Sequence, residues 1–297
     1  MKASVPLGAE LVLEVGDEAD GADDYPTARL QKGLLLVDAG ESLAEEGVGF
    51  GVPILKRGVH TVFPGYVDVT CRRDGSIWEV TATYRMDLVE RLARSRGLNE
   101  PEAAGADGRL MQSRALNAAK DSLAALHRRV PRLRGPLTAT SAALRRTFGW
   151  VTAYEETASC GAVAVTHVVR PGGAAGHTAE ETRVSVDVDL SGLTAAGITE
   201  VVVMNEQGAR HFDRYEDADG ADMRGADIGT WQEVGAARAS FVSTGHRVAF
   251  SLGQASGARL YRGRELVGSR LAWAGFGYSL PPSRRSFGYE LTIARTP

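Results

Sequence analysis

The run T-R-V-S-V-D-V-D-L, residues 182–190, alternates without a break: Val184, Val186, Val188 and Leu190 fall on one side, Ser185, Asp187 and Asp189 on the other. A period of two over this length predicts a strand of an antiparallel sheet with one face buried and one in water. Similar runs surround it. Upstream, from about residue 9 to 86, come L-V-L-E-V (11–15), L-L-L-V-D (34–38), V-D-V-T-C (67–71) and W-E-V-T-A-T-Y (78–84). Asp74-Gly75 lies between the last two, and Asp-Gly between alternating hydrophobics predicts a hairpin that sets Val67, Val69 and Cys71 opposite Trp78, Val80, Ala82 and Tyr84. Downstream, at least six further strand-like runs reach the C-terminus.

Between about 87 and 147 the period becomes helical. Asp87 is placed to cap a helix, with Glu90 three residues on, Leu88, Val89 and Leu92 along one face and Gly97 as its stop. Leu116, Ala119, Leu123, Leu126 and Val130 recur at helical spacing up to Pro131, and a third helix is read from about 140 to 147. The expected fold is mainly β: a large antiparallel sandwich, read as one domain over 1–297, with 87–147 as a helical insertion or a connector between two β halves. A-D-G-A-D occurs at 19–23 and 218–222, and both copies read as acidic turns.

Composition narrows the function classes. A net charge of -3 and a pI near 6.1 supply no general attraction to nucleic acid or to an anionic membrane. Only four of the 34 basic residues are lysine, so a single arginine carries less weight. His127, Arg128, Arg129, Arg132 and Arg134 are the one basic concentration; no stacking aromatic accompanies them, and they read as a solvated helix end. No apolar stretch of about 18 residues is present, and Glu10 interrupts the N-terminus before a leader core is built, so no membrane partner and a cytoplasmic location are expected. Cys71 and Cys160 lack metal-type spacing and read as buried thiols.

The candidate chemistry lies in three stretches. In E-E-G-V-G-F-G-V-P (45–53), the alternate glycines Gly47, Gly49 and Gly51 pack nothing. They predict either a groove lined by Phe50 with Glu45 and Glu46 at its mouth, or a bulged, closely approached strand. No lysine followed by Ser or Thr completes a phosphate loop, and no helix follows to make a dinucleotide fingerprint. In V-V-V-M-N-E-Q (201–207) an apolar strand ends in Asn205, Glu206 and Gln207. Glu206 with Asp213, or with Glu216, is the candidate catalytic pair, one carboxyl as acid and one as base or nucleophile. The third stretch, L-Y-R-G-R-E-L-V-G-S-R-L-A-W-A-G-F-G-Y (260–278), offers aromatic and arginine groups suited to sugar rings. Glu45, Glu46, Phe50, Asn205, Gln207, His211 and Arg262 are the candidate substrate contacts.

His211-Phe212-Asp213 also matches H-x-D, the start of a two-histidine, one-carboxylate iron set that His246 would complete, with Arg259 beyond it. With six histidines and 37 acids in the chain, roughly 0.75 H-x-[DE] triplets arise by chance, so no metal or other cofactor is assigned. The acids of 213–227 do not fit an EF-hand. No Gly-x-Ser-x-Gly elbow occurs, and Cys160 reads as structural.

In size and strand-rich layout the chain resembles the supersandwich of sugar mutarotases and related carbohydrate-active proteins, a likeness of architecture without a matched motif. It implies a sugar or other small-molecule ligand. The expected function is a carbohydrate-active epimerase, lyase or hydrolase using carboxylate acid/base chemistry in a sheet-lined groove. A non-catalytic glycan or small-ligand binder and the iron oxygenase are the alternatives, and no oligomeric state is implied.

Overall fold

Residues 182–190 lie within a nine-stranded antiparallel sheet, hydrogen-bonded on both sides, with Thr182, Val184, Val186, Val188 and Leu190 buried as the alternation requires. The computed structural model describes residues 4–8, 10–15, 31–45, 47–57, 60–95, 150–156, 159–171, 181–194, 196–267 and 271–296. Nearly everything described is strand, in two large antiparallel sheets packed as a β-sandwich.

The first sheet has twelve strands: β1 (Ser4–Gly8), β2 (Leu11–Val15), β3 (Leu34–Asp38), β4 (Glu41–Ser42), β5 (Gly49–Arg57), β6 (His60–Phe63), β9 (Leu88–Ser95), β10 (Trp150–Glu156), β13 (Ile198–Gln207), β16 (Gln232–Glu233), β19 (Arg259–Val267) and β20 (Leu271–Leu280). Its main path runs β1-β2-β3-β5-β13-β20-β19-β16; β4 pairs β3, and β6, β9 and β10 branch from β5. The second has nine: β7 (Tyr66–Asp74), β8 (Ile77–Arg85), β11 (Ala162–Arg170), β12 (Glu181–Asp189), β14 (Arg214–Asp217), β15 (Asp222–Arg224), β17 (Arg238–Ser243), β18 (Val248–Gly253) and β21 (Ser286–Arg295), ordered β15-β14-β17-β18-β21-β12-β11-β8-β7. No helix among the described residues is long and apolar enough to cross a membrane.

The expected hairpin forms, with Gly75-Ser76 as its two-residue turn and Gly75 at φ 58. Val67, Val69 and Cys71 stand opposite Tyr84, Ala82 and Val80. Cys71 is exposed, not buried, because it lies on edge strand β7; Cys160 is buried, and both thiols are free. The helix expected from Asp87 to Gly97 is corrected: Leu88–Ser95 is strand β9, paired with β6 through Val62↔Val89 and with β10. L-V-E-R-L-A-R-S satisfies either period, and ladder bonds on both edges outweigh a local helical preference worth a few tenths of a kcal/mol per residue, roughly. The helices expected near 116–130 and 140–147, the basic cluster and the first A-D-G-A-D lie outside the described residues. The second A-D-G-A-D forms the turn of the β14–β15 hairpin, which Arg214 binds to Glu216 and Asp222.

The core between the sheets is aromatic. Phe50, Phe212, Phe241, Phe250 and Phe276 are fully buried, with edge-on contacts such as Phe50–Phe250 at 5.2 Å and Phe241–Phe276 at 4.9 Å. Each such ring contributes about 1.5–3 kcal/mol of burial. The glycines at 47–51 serve this packing. A Cβ on Gly47 would lie 2.8 Å from the backbone of Gln207, and one on Gly51 would lie 2.5 Å from the ring of His167 on the opposite sheet. Gly51 also sits at φ 77, beside the bulge where the β13–β5 register shifts between Met204 and Asn205. The bulged, closely approached strand is therefore what forms.

Candidate functional site

Asn205, Glu206 and Gln207 end β13, and strand alternation turns Glu206 away from its two neighbours. Asn205 and Gln207 follow Val201 and Val203 into the interior; Glu206 follows Val202 and Met204 onto the outer face of the twelve-stranded sheet. The two interior amides are engaged by the fold. Asn205 Oδ1 accepts from the Gly51 N–H (3.2 Å) and from the Tyr289 hydroxyl of the other sheet (2.8 Å). Gln207 Oε1 accepts from Leu36 N (3.1 Å), and its Nε2 donates to the Leu34 carbonyl (3.4 Å). Gln207 thus stands in for a ladder partner to β3, which pairs with β5 only through Leu34↔Phe50.

Glu206 is 5% exposed and pairs with Gly49 on one side and Gly275 on the other. Its row continues from Gly275 to Gly263, so neither cross-strand neighbour brings a side chain against the carboxyl. Burial raises its pKa to about 8; the Val48 N–H opposes the rise, Glu265 adds to it and Lys32 counters. Lys32 is held nearby by donating to the Glu45 carbonyl at 2.5 Å. At neutral pH Glu206 is therefore a protonated carboxylic acid.

Beyond it, Glu265 on β19 pairs with Trp273 on β20, and Trp273 stacks on Trp231 with centroids 4.9 Å apart and planes at 23°. Gly263 makes room for this, since a Cβ there would lie 2.6 Å from the Trp273 ring. Trp231 keeps 38% of its surface exposed and holds φ 51. An outward-facing acid, a second acid and a partly open indole thus share one region of sheet. Two clefts on the other sheet, of about 340 and 300 Å³, are lined by Arg214, Asp217, Asp222 and Arg238 and by Arg238, Gln254, Tyr289 and Glu290. Neither is lined by Glu206.

Several residues named from sequence sit elsewhere. Phe50 is 0% exposed in the core, packed on Phe250, so it offers no face to a ligand. Arg262 points inward with Phe276, its Nη2 bound to Gln232 Oε1 (2.9 Å) and its guanidinium 4.6 Å over Tyr215. Glu45 clamps the turn after β13: its carboxylate takes Arg210 Nη1 at 2.6 Å and Arg210 N at 3.1 Å. The Glu46 side chain lies outside the described residues. Asp213 acts on Arg264, and the acid that acts on Glu206 is Glu265. Glu216 pairs with Arg214. His211 meets His246, with Nδ1 3.2 Å from Nε2, but Asp213 is not part of that cluster; Glu41 is.

Glu265, Trp231 and Lys32 were not singled out from sequence. Glu265 had a signal within L-Y-R-G-R-E, where Tyr261, Gly263 and Glu265 share one face of a strand. Lys32 and Trp231 had none, since both lie outside strands and reach the site through the order of distant strands.

No protein-family model matches the chain, and no curated protein matches it. Among the solved structures that align with it, two are matched along most of their lengths. One, HI1317, is 8% identical, covers 99% of both chains and has a TM-score of 0.31. The other, a candidate mutarotase (YeaD) from Salmonella typhimurium, is 7% identical over 97% of this chain and 88% of its own, with a TM-score of 0.32. The chain is similar to both in outline only, and likeness at this level bears on no residue of the site.

Proposed function

We propose that the outer face of the twelve-stranded sheet around Glu206 is a carbohydrate site working by acid–base chemistry. The observation that carries this reading is the setting of Glu206: an outward carboxyl that holds its proton at neutral pH, flanked by Gly49 and Gly275, within the field of Glu265. Such an acid donates its proton to an acetal or ring oxygen as the C–O bond breaks. Glu265, in the role that sequence gave to Asp213, takes the matching proton. From a sugar hydroxyl the outcome is epimerisation, from a ring C–H elimination, and from water hydrolysis. The exposed face of Trp231 suits the C–H face of a pyranose.

The test is a panel of reducing sugars and glycosides, with binding followed by tryptophan fluorescence and turnover by polarimetry and reducing-end release. Glu206→Gln is expected to leave Kd within about 3-fold and to lower kcat by about 10²–10⁴-fold, the usual contribution of a general acid. Unchanged turnover in Glu206→Gln would remove it from the mechanism. Binding without turnover in the wild type would favour the non-catalytic binder, and a panel with no fluorescence response would end the sugar reading.

A further inference from the structure

His211 and His246 meet at one end of the sandwich, on the opposite side of the twelve-stranded sheet from Glu206. Asp38, which holds His246, continues the buried inner row of Leu34 and Leu36. His211 lies in the turn after β13, His246 in the turn between β17 and β18, and Glu41 just past the Ala39–Gly40 turn between β3 and β4. Two turns and the first residue of β4, drawn from both sheets, therefore converge.

We propose that His211 Nδ1, His246 Nε2 and the Glu41 carboxylate form a three-ligand site for a divalent transition metal of the zinc class. The two nitrogens are 3.2 Å apart. Zinc–nitrogen bonds of about 2.0–2.1 Å in a tetrahedral site set two nitrogens about 3.3 Å apart, so the pair already has the required spacing. The three ligand atoms lie within 4.8 Å of one another, with Glu41 Oε2 3.9 Å from His246 Nε2. The Glu41 side chain is 62% exposed, so packing does not lock it in one rotamer.

The far side of His246 is built as a metal-bound histidine requires. Its Nδ1 lies 3.1 Å from Asp38 Oδ2, and because a carboxylate only accepts, the proton sits on Nδ1 and the lone pair on Nε2 faces His211. Asp38 is fixed in turn by Arg295 Nη2 at 2.5 Å, and Arg295 Nη1 donates to the His246 carbonyl at 2.9 Å. Asp38 is thus a positioning residue for the ring. Two imidazoles and one carboxylate suit zinc, cobalt or ferrous iron, and three protein ligands leave a fourth position for water or a small anion.

The experiment uses the untagged full-length chain, stripped with chelator, titrated with ZnCl₂ by calorimetry and with CoCl₂ by visible absorption. One equivalent of zinc, a tetrahedral cobalt spectrum and a rise in Tm on loading are expected. His211→Ala should abolish the cobalt spectrum and Glu41→Ala weaken binding at least 10-fold. Asp38→Asn should weaken it about 10–100-fold and shift the spectrum, which loss of a merely structural contact would not do. Circular dichroism confirms that each variant folds, and should Asp38→Asn fail to fold, His211→Ala and Glu41→Ala decide alone. The proposal is overturned if the wild type takes up no stoichiometric metal, or if His211→Ala binds it as the wild type does. Neither result bears on Glu206.

Discussion

The two faces of the twelve-stranded sheet treat buried polar groups in opposite ways, and residues 205–207 show the contrast within one short stretch. On the inner face Asn205 and Gln207 are fully buried, and each amide pairs with backbone or with Tyr289. On the outer face Glu206 is equally withdrawn from water but retains an ionisable carboxyl that burial holds protonated. Burial alone therefore does not mark a functional group. What sets Glu206 apart is a buried acid kept in its neutral form with no salt bridge to it among the described residues, and the proposed role rests on that setting.

The contrast is sharpened most by the dependence of stability on pH, because the interior carries its own titrating group. His167, 1% exposed, packs on Gly51 with neither ring nitrogen in a hydrogen bond of good geometry, and burial lowers its pKa to about 4 from 6.5. Below 6.5 the unfolded chain takes up that proton first, so the stability His167 permits is complete above 6.5 and lost as pH falls toward 4. Glu206 works the other way. Its pKa rises from 4.5 to about 8, so the folded state holds the extra proton and stability declines as pH climbs through that window. At about 1.4 kcal/mol per pKa unit, the alkaline limb is worth up to about 5 kcal/mol and the acid limb up to about 3.5. Between 4.5 and 6.5 the two trends oppose and nearly cancel, so urea unfolding from pH 4 to 9 should show a plateau followed by a decline from 6.5 to about 8; Glu206→Gln removes that decline and uncovers the acid limb of His167, and His167→Leu extends the decline down to 4.5. An alkaline limb that survives Glu206→Gln would show that Glu206 does not carry it.

A direct strike at the inner face is expected to have the next largest effect. Asn205→Leu keeps similar bulk but strands the Gly51 N–H and the Tyr289 hydroxyl, both of which rely on Asn205 Oδ1. Two unsatisfied buried donors should cost about 3 kcal/mol, read as a lowered urea midpoint at unchanged slope. Glu206→Leu at pH 9 should instead stabilise, since it removes a buried charge. Equal losses from the two substitutions would erase the difference between the faces.

The sequence exposed the architecture where one face of a strand is wet. V-S-V-D-V-D-L is unambiguous because water sits on one side of β12, whereas V-V-V-M is buried on both sides of β13, and no alternation tells which of Asn205, Glu206 and Gln207 turns outward. Glycine spacing at 47–51 was visible, yet its cause, the backbone of Gln207 and the ring of His167, lies more than a hundred residues away. The Glu206–Glu265 relation depends on strand order, which places β20 between β13 and β19 although β14 follows β13 in the chain. H-F-D drew attention to His211 and His246, but the carboxylates near His246, Asp38 and Glu41, flank a distant turn. Residues 88–95 were misread because two periods fit eight residues.

The smallest effect on stability is expected at Trp231, where the ligand response decides whether the outer face has a platform. A tryptophan at φ 51 carries left-handed strain, which for a residue with a Cβ costs about 1–2 kcal/mol. Its stack on Trp273 returns about 0.5–1.5 kcal/mol, and burial of the covered part of the ring about 1.5–3 kcal/mol more. Trp231→Gly relieves the strain, because glycine adopts this φ without penalty, but forfeits the stack and the burial. The net loss should be about 2 kcal/mol, read as a lowered urea midpoint. Sugar affinity, read through the remaining tryptophans, should fall at least 10-fold. Unchanged affinity would instead make the indole pair a structural cover over Gly263, and would take from Glu206 the surface that is to hold its substrate.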